Sequence, residues 1–394
     1  MSRKAYVTGV GMIPFAKPGA SAPYDQMGAM AARAALADAG LAYGDIEQAY
    51  CGYVYGDSTS GQKALYQVGM SGIPIFNVNN NCSTGSTALY LARQAIASGA
   101  AECVLVLGFE QMSPGALGAV FTDRPSPFAP FDEATDALVG MPELPLALRY
   151  FGGAGLAHMT KYGTPLSAFA EIRAKASRHA VNNPLALFRK EVSAEEVLAS
   201  PPLWAGVMTR LMACPPTCGA AATVLVSDAY ARAHGLRHNV YIAAQAMTTD
   251  RPSTFDAGDM MRVVGYDMSR EAAAQVYREA GIGPEDLDVV ELHDCFAHNE
   301  LITYEALGLC PEGGADKFIR DGDNTYGGKV VTNPSGGLLS KGHPLGATGL
   351  AQCYELTHQL RATAGARQVA GARVALQHNL GLGGACVATL YRAE

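Results

Sequence analysis

Cys82 lies where a polar, strand-like run becomes a helix. The run Asn77–Asn81 precedes it, and the segment Ser86–Ile96 has a helical periodicity that ends near Gly99. A thiol at the N-terminus of a helix meets the positive end of the helix dipole and free backbone N–H groups, and both favour the thiolate. Because the thiolate is the attacking species, Cys82 is a candidate nucleophile. The alternative is a buried core residue, one of nine cysteines in the chain.

Two later motifs supply histidines and a second thiol. One reads Glu-Leu-His-Asp-Cys-Phe and contains His293 and Cys295, and the other reads Lys-Gly-His-Pro-Leu-Gly and contains His343. A cysteine and separated histidines form a candidate nucleophilic site even when they are distant in sequence. A glycine-rich segment, Gln377–Gly384, follows these motifs.

In this order the motifs resemble those of the thiolase superfamily, and they are most similar to the thiolase of the sterol carrier protein type. The resemblance extends from Val10 to Tyr391. It implies an α/β, five-layered αβαβα thiolase fold with two pseudo-twofold-related halves and an inserted loop domain. It also implies the activity of a 3-oxoacyl-CoA thiolase (acetyl-CoA C-acyltransferase type), with acyl-CoA and coenzyme A as substrates and no permanently bound cofactor.

The thiolase resemblance also implies a role for each motif residue. Cys82 would become acylated, and His343 would be the base that activates it. His293 stands where other thiolases carry an asparagine that fixes a water molecule, and with His343 it would polarise the thioester oxygen. The backbone N–H groups of Cys82 and Gly381 would form a second oxyanion hole, since backbone donors need no reorganisation.

The sequence departs from the usual thiolase pattern at the acid/base residue. Most thiolases carry this cysteine in a C-terminal Cys-x-Gly motif, where this chain has Asn379. Similarity to the sterol carrier protein type assigns the role to Cys295 instead, with a buried strand-end residue as the alternative. Cys386 is expected to be a packed core residue. His378 and Asn379 adjoin the site without a defined role.

Two other functions remain open at this point. Relatives that act as steroid side-chain retro-aldolases with a small partner subunit resemble thiolases but lack the nucleophilic cysteine, so Cys82, Cys295 and His343 count against that reading. A non-catalytic lipid-binding protein is the second alternative. In longer relatives that activity belongs to a separate C-terminal domain, and this sequence ends at Glu394, so we expect that domain to be absent.

The composition is typical of a large α/β enzyme: 394 residues, 49% of them hydrophobic, 16% charged, and 44 glycines. A net charge of −7 and the absence of a basic run argue against nucleic-acid binding.

No apolar stretch reaches the roughly 18–20 residues of a membrane span, and no leader peptide is evident, so we expect a cytoplasmic protein. Cys214 and Cys218 lack a second pair at zinc-like spacing, so no metal site is predicted.

The chain contains a faint internal repeat. In two places a helix ends at a glycine and is followed by a turn and an aspartate; Gly40 and Gly281 are 241 residues apart, as are Asp45 and Asp286. Helices alternating with short apolar strands favour a mixed sheet covered by helices. The predicted strands are Ala5–Gly9, Cys103–Gly108, Thr223–Ser227, Val289–Leu292, Val374–Leu376 and Val387–Tyr391.

The expected organisation has four segments. Residues 1–111 form the N-terminal half, 112–210 a loop domain that covers the active site, 211–238 the remainder of the N-terminal half, and 239–394 the C-terminal half. The thiolase resemblance implies a homodimer, or a dimer of dimers, with Phe76–Asn81 close to the two-fold interface.

Overall fold

The computed structural model describes residues 3–114, 118, 120–140 and 143–394. Its strands, in chain order, are β1 Ala5–Met12, β2 Gln48–Gly52, β3 Ile75–Val78, β4 Cys103–Glu110, β5 Pro202–Trp204, β6 Met208–Thr209, β7 Gly219–Ser227, β8 Val240–Thr248, β9 Val289–Glu291, β10 Val331–Thr332, β11 Val374–Gly381 and β12 Ala385–Ala393. All six strands that the sequence predicts are present.

The helices are α1 Tyr24–Ala39, α2 Ser60–Leu65, α3 Thr84–Ser98, α4 Ala129–Leu138, α5 Leu146–Tyr162, α6 Leu166–Ala180, α7 Ala194–Leu198, α8 Asp228–Ala233, α9 Ser253–Asp256, α10 Met260–Val263, α11 Tyr266–Ala280, α12 Ala297–Ala306, α13 Ala315–Arg320 and α14 Thr348–Leu360. Within the described ranges, none of them combines the length and apolar character needed to cross a bilayer.

Ten strands pair in the order β10-β9-β11-β12-β8-β1-β7-β4-β2-β3. The two halves of this sheet meet where Ala5 and Tyr6 of β1 pair with β8. In each half, the three strands farthest from this junction pair with one another in parallel. The two strands nearest to the junction pair with their neighbours in that half in antiparallel fashion. The halves therefore share one topology, and this confirms the predicted internal repeat and its pseudo-twofold relation.

The two halves of the sheet form two layers, and the helices form three more. Helix α1 packs on the outer face of the N-terminal half, α11 packs on the outer face of the C-terminal half, and α3 and α14 lie between the two. Strand β4 shows the alternation: Leu105 and Leu107 pack with residues of α1, and Val104 and Val106 pack with residues of α3 and α14. The predicted αβαβα arrangement is confirmed.

The two central helices approach one another closely at their N-termini. A Cβ atom on Gly85 would lie 2.7 Å from the carbonyl oxygen of Gly346, and one on Gly349 would lie 2.4 Å from the backbone nitrogen of Ser86. A larger residue at either position would push the helices apart. The crossing therefore requires glycine, and it brings the residues before α3 next to those before α14.

The described part of the chain between β4 and β7 contains the helices α4–α7 and the small β5–β6 hairpin. Its apolar side chains join the core of the C-terminal half: Phe151 stacks on Phe296 with ring centroids 5.1 Å apart, and Phe169 stacks on His298 at 4.1 Å. At its start, Phe128 lies beside Gly383 of the glycine-rich segment. This region is therefore packed against the C-terminal half rather than extended from it.

Candidate active site

Cys82 sits in a tight turn directly before α3. Asn81 has a φ of 50°, in the left-handed region that asparagine tolerates better than most residues. The turn is held by side chains, since the Thr84 hydroxyl donates to the Asn81 carbonyl at 2.6 Å and the Ser83 hydroxyl donates to the Asn80 carbonyl at 2.9 Å. Cys82 itself is buried. Its thiol is thus presented to the interior from a fixed backbone.

His343 is positioned by the turn before α14. Its backbone N–H donates to the Thr217 hydroxyl at 3.1 Å, and its Nδ1 lies 2.7 Å from the Thr348 hydroxyl. That hydroxyl donates its own proton to the Pro344 carbonyl, so Nδ1 carries the imidazole proton. Among the described residues, His343 Nε2 has no hydrogen-bond partner although it is buried. His343 therefore offers an unpaired nitrogen lone pair.

The three candidate residues converge. The Cys82 sulfur and one ring nitrogen each from His293 and His343 all lie within 4.8 Å of one another. The two imidazole rings meet edge to face, with centroids 5.0 Å apart. Thiolate and imidazole are also ligands that zinc prefers, so the same three atoms could chelate such an ion; the absence of a metal from the function stays a prediction.

Burial decides the charge of the Cys82–His343 pair. It raises the pKa of the Cys82 thiol to about 12, with a contribution from the Glu110 carboxylate, and lowers the pKa of His343 to about 3. The expectation that the helix N-terminus yields a resting thiolate is therefore wrong, because desolvation outweighs the dipole. At neutral pH the pair is a thiol beside a neutral imidazole, and the thiol donates to Asn81 Oδ1 at 3.5 Å.

His293 is held by the amide side chain of Asn379. The Asn379 amide nitrogen lies 3.1 Å from His293 Nδ1 and 3.1 Å from the Cys82 carbonyl oxygen. Burial, reinforced by His343 and His378, lowers the pKa of His293 well below its usual value, so its ring is neutral. Asn379 thus joins the glycine-rich segment to both motifs.

Asp294 connects the His-Asp-Cys-Phe motif to the loop that carries His343. Its carboxylate accepts hydrogen bonds from the backbone N–H groups of Leu338 at 2.7 Å and Leu339 at 3.2 Å. A Cβ on Gly337 would lie 2.1 Å from the same carboxylate, so the loop can approach only with glycine there. Asp294 thereby fixes the distance between the two histidine motifs.

Two family models match the chain: thiolase, N-terminal domain, over residues 5–193, and thiolase C-terminal domain-like, over residues 251–390. The chain belongs to the thiolase family. It is 55% identical to sterol carrier protein 2 of Oryctolagus cuniculus over 396 residues, which is 99% of this chain and 72% of that protein. The predicted membership and sterol carrier protein type are therefore confirmed.

Two further proteins extend the comparison. The chain is 35% identical to the benzoylsuccinyl-CoA thiolase subunit BbsB of Thauera aromatica, over 97% of this chain and 96% of that protein. A solved structure titled Ltp2-ChsH2(DUF35) aldolase superposes with a TM-score of 0.83 at 23% identity, covering 100% of this chain and 98% of the other. At that identity the superposition establishes a shared fold.

Cys295 has a second thiol beside it. The backbone N–H of Cys214 donates to the Cys295 carbonyl at 2.9 Å, next to an antiparallel bridge between Ala213 and Phe296. Burial and then the thiols of Cys214 and Cys82 raise the pKa of Cys295 well above its usual value. The three cysteines are therefore neighbours, and Cys295 is a protonated thiol at neutral pH.

No motif in the sequence indicated that Cys214 lies beside the candidate site. The strand-like segment that contains it passes between the two histidine motifs: Ala213 pairs with Phe296, and Pro216 pairs with His343. The only sequence signal was its spacing from Cys218, which suggested a metal pair. Cys218 instead donates its thiol hydrogen to the Met112 carbonyl at 3.4 Å, away from Cys214.

The glycine-rich segment lies against the Cys82 turn. A Cβ on Gly381 would stand 2.3 Å from the Asn80 carbonyl, so the approach requires glycine. The N–H of Leu382, one residue beyond the predicted Gly381, hydrogen-bonds the Cys82 sulfur and opposes the rise of its pKa. His378 lies on the opposite face of β11, where its Nε2 contacts the Ser269 hydroxyl at 2.9 Å.

Glu110, at the end of β4, is a second residue without a sequence signal. It is fully buried and accepts hydrogen bonds from the backbone N–H groups of Val54, Tyr55 and Gly346, at 2.9 to 3.0 Å. Burial raises its pKa to about 7 although these donors oppose the shift. Glu110 ties the loop after His343 to the N-terminal half.

Proposed function

We propose that this protein is a 3-oxoacyl-CoA thiolase of the acetyl-CoA C-acyltransferase type, which cleaves or forms the C2–C3 bond through an acyl-cysteine intermediate. The observation that carries the proposal is the convergence of the Cys82 sulfur with ring nitrogens of His293 and His343 within 4.8 Å. A nucleophile beside an unprotonated base is the arrangement that covalent acyl transfer needs.

The first step is attack on the C3 carbonyl of the substrate. The Cys82 thiol passes its proton to the free Nε2 of His343 as its sulfur bonds to C3. Since the thiol is protonated at rest, attack and proton transfer are coupled, and no buried ion exists before the substrate arrives. The negative charge on the C3 oxygen is stabilised by backbone N–H groups at the turn between β11 and β12 and at Cys82.

Cleavage of the C2–C3 bond leaves an acyl group on Cys82 and the electron pair on C2. Cys295 gives its proton to C2, which releases acetyl-CoA, and its high pKa keeps that proton available at neutral pH. The thioester oxygen at C1 gains charge in this step, and His293 and His343 are the donors that we assign to it.

Coenzyme A is the second substrate. Its thiol attacks the acyl group on Cys82 and loses its proton to the Cys295 thiolate, so that Cys295 returns to its starting form. Cys82 leaves and recovers a proton from His343. The same steps in reverse condense two acyl-CoA molecules, so the proposal covers both directions.

Residues 112–210 are proposed to cover this site. Phe128 lies 3.3 Å from a Cβ position on Gly383, directly over the glycine-rich turn. A cleft of about 510 Å³ opens between α4, α5 and α10, and Leu156, Ala157 and Met260 are among its lining residues. His158 of α5 is fully buried, with its ring nitrogens against Thr164 and Glu305.

Mass spectrometry of the protein's peptides tests the function. The wild-type protein is mixed with a 3-oxoacyl-CoA, quenched and digested; the expected result is one acyl group on the Cys82 peptide, which added coenzyme A removes as a shortened acyl-CoA. Cleavage of a 3-hydroxyacyl-CoA in a parallel reaction, with no acylation from the 3-oxoacyl-CoA, would support the aldolase alternative. Tight binding of lipid with neither acylation nor turnover would support the lipid-binding alternative. Either result overturns the proposal.

The enzyme is proposed to be a homodimer that associates through β3. Within the part of the chain that the structure describes, this edge strand pairs only with β2. Phe76 is 44% exposed, and its ring stacks on Tyr50. Light scattering should give at least twice the 41.2 kDa chain mass. Phe76→Glu should lower that mass, whereas Phe121→Glu, at another exposed aromatic residue, should not. A stable, active wild-type monomer would contradict this placement.

A further inference from the structure

A chain of buried polar side chains leads from the last strand into the site. The Tyr391 hydroxyl on β12 donates to Gln377 Oε1 at 2.5 Å. The Gln377 amide nitrogen then donates to the Ser86 hydroxyl oxygen at 2.6 Å and to the Gly349 carbonyl at 2.8 Å. Tyr391, Gln377 and Ser86 are inaccessible to solvent. Their hydrogen bonds are therefore not exchanged with bulk water.

The chain continues through Ser86 to His293. The Ser86 hydroxyl donates to Asn379 Oδ1 at 2.8 Å. The Asn379 amide nitrogen lies 3.1 Å from both the Cys82 carbonyl oxygen and His293 Nδ1. We call the four residues Tyr391, Gln377, Ser86 and Asn379 the β11 polar chain.

Two backbone carbonyls fix the direction of every hydrogen bond in the β11 polar chain. A carbonyl oxygen only accepts, so the Gly349 carbonyl identifies the Gln377 atom facing it as the amide nitrogen. In the same way the Cys82 carbonyl identifies the Asn379 atom facing it as the amide nitrogen. That nitrogen also faces His293 Nδ1, which must then accept, and the imidazole proton must reside on Nε2.

We infer that the β11 polar chain sets the tautomer of His293, holding its proton on Nε2 so that this nitrogen donates to the substrate oxyanion. The assignment of the His293 tautomer rests on geometry alone. Its role as a donor to the substrate oxyanion rests on the proposed function. Asn379 is accordingly a positioning residue that acts through His293. The Asn379 side-chain amide is kept from flipping by its hydrogen bond to Ser86, which is itself held by Gln377 and Tyr391.

The opposite tautomers of the two histidines separate their roles. His343 donates from Nδ1 to Thr348 and keeps a lone pair on Nε2, which suits a base. His293 accepts at Nδ1 and keeps a proton on Nε2, which suits an oxyanion donor. With the other tautomer of His293, the site would hold two bases and lack this side-chain donor.

The same geometry accounts for two departures of this chain from the usual thiolase pattern. His293 stands in place of an asparagine, and Asn379 stands in place of a cysteine. A thiol has one weak donor and cannot serve both the Cys82 carbonyl and His293 Nδ1, whereas an amide nitrogen has two. Asn379 is therefore the partner that His293 requires.

Nuclear magnetic resonance of the substrate-free protein tests the tautomer. Protein labelled with ¹⁵N at histidine is examined by long-range ¹H–¹⁵N correlation, and the His293 signals are identified by their loss in His293→Asn. His298, whose Nε2 donates to the Val207 carbonyl, and His343 serve as internal references for the two tautomers. His293 is expected to match His298. A match to His343 overturns the inference.

The isosteric variant Asn379→Asp tests the consequence. A carboxylate accepts from Nδ1, so the His293 proton should move to that nitrogen, and kcat should fall roughly 10²–10³-fold, the loss typical of one oxyanion donor, with KM little changed. Asn239→Asp makes the same chemical change at an exposed site and should retain activity. If the proton moves and kcat does not fall, the assigned role is wrong.

Two further outcomes remain decisive. If Asn379→Asp fails to fold, Ser86→Ala removes a link without adding charge, and a mixture of His293 tautomers is expected; an unchanged tautomer would mean that the chain does not set it. If the wild-type spectrum shows the Nε2 proton but no thiolysis is found, the proposed function fails and the tautomer assignment stands.

Discussion

Replacing Cys82 by alanine is expected to reduce thiolysis of a 3-oxoacyl-CoA to below about 1% of the wild-type rate. Removing a covalent nucleophile typically costs several orders of magnitude in kcat, because no remaining group can carry the acyl chain. The reaction is followed by the loss of 3-oxoacyl-CoA, and the acyl-enzyme by intact mass. Both signals should disappear together.

The fold should survive this change, since a buried point substitution of this kind typically costs about 0.5–3 kcal/mol. Cys103→Ala is the matched control: Cys103 is fully buried on β4 in the same half of the molecule, and its loss should leave turnover close to wild type. Thiolysis by Cys82→Ala above the stated level, in a sample that melts like wild type, would remove Cys82 from the nucleophile role.

The general architecture was predictable because its determinants are local. The apolar strands Cys103–Glu110 and Val374–Gly381 are bounded by turn residues, and Gly40 and Gly281 end equivalent helices in left-handed conformations, with φ of 72° and 65°. Most strands that escaped prediction are short or mixed in composition, such as β2, which reads Gln-Ala-Tyr-Cys-Gly, and β10, which has two residues; the nine-residue β8 is the exception. Their strand conformation depends on sheet partners distant in sequence.

The three central residues could be predicted from motifs, but their supporting contacts could not. Asp294 acts on a loop 44 residues away, and Glu110 acts on Gly346, 236 residues away. Neither contact leaves a periodic pattern or a spacing in the sequence. Cys214 reaches the site because its segment passes between two motifs that lie far downstream of it. Contacts of this kind are determined by the tertiary fold.

The charge state of Cys82 shows a different limit. The sequence places the thiol at the N-terminus of α3, and the dipole argument from that position is sound on an exposed helix. Burial is a tertiary property, and it raises the pKa of this thiol to about 12. The position of the Cys82 thiol before α3 was therefore predictable, whereas its protonation state was not.

Replacing Cys295 by alanine is expected to separate the two halves of the reaction. Cleavage of a 3-oxoacyl-CoA requires protonation of C2 and should fall about 10²–10⁴-fold, the range typical of general acid–base catalysis. Acylation of Cys82 by a simple acyl-CoA expels the coenzyme A thiolate, which is a far weaker base than a carbanion at C2, so it depends less on the acid and should fall much less. The two rates are measured on the same preparation, by loss of 3-oxoacyl-CoA and by the appearance of acylated protein in a quenched time course.

Two matched cysteine variants identify the thiol responsible. Cys386→Ala makes the same change on β12, where the sulfur is buried and lies 3.8 Å from the Ser269 hydroxyl, and it should retain cleavage. Cys214→Ala removes the thiol beside Cys295 and should also retain most activity, because Cys295 remains to protonate C2. Equal losses of cleavage and acylation in Cys295→Ala, or a selective loss of cleavage in either control, would assign the acid to another residue.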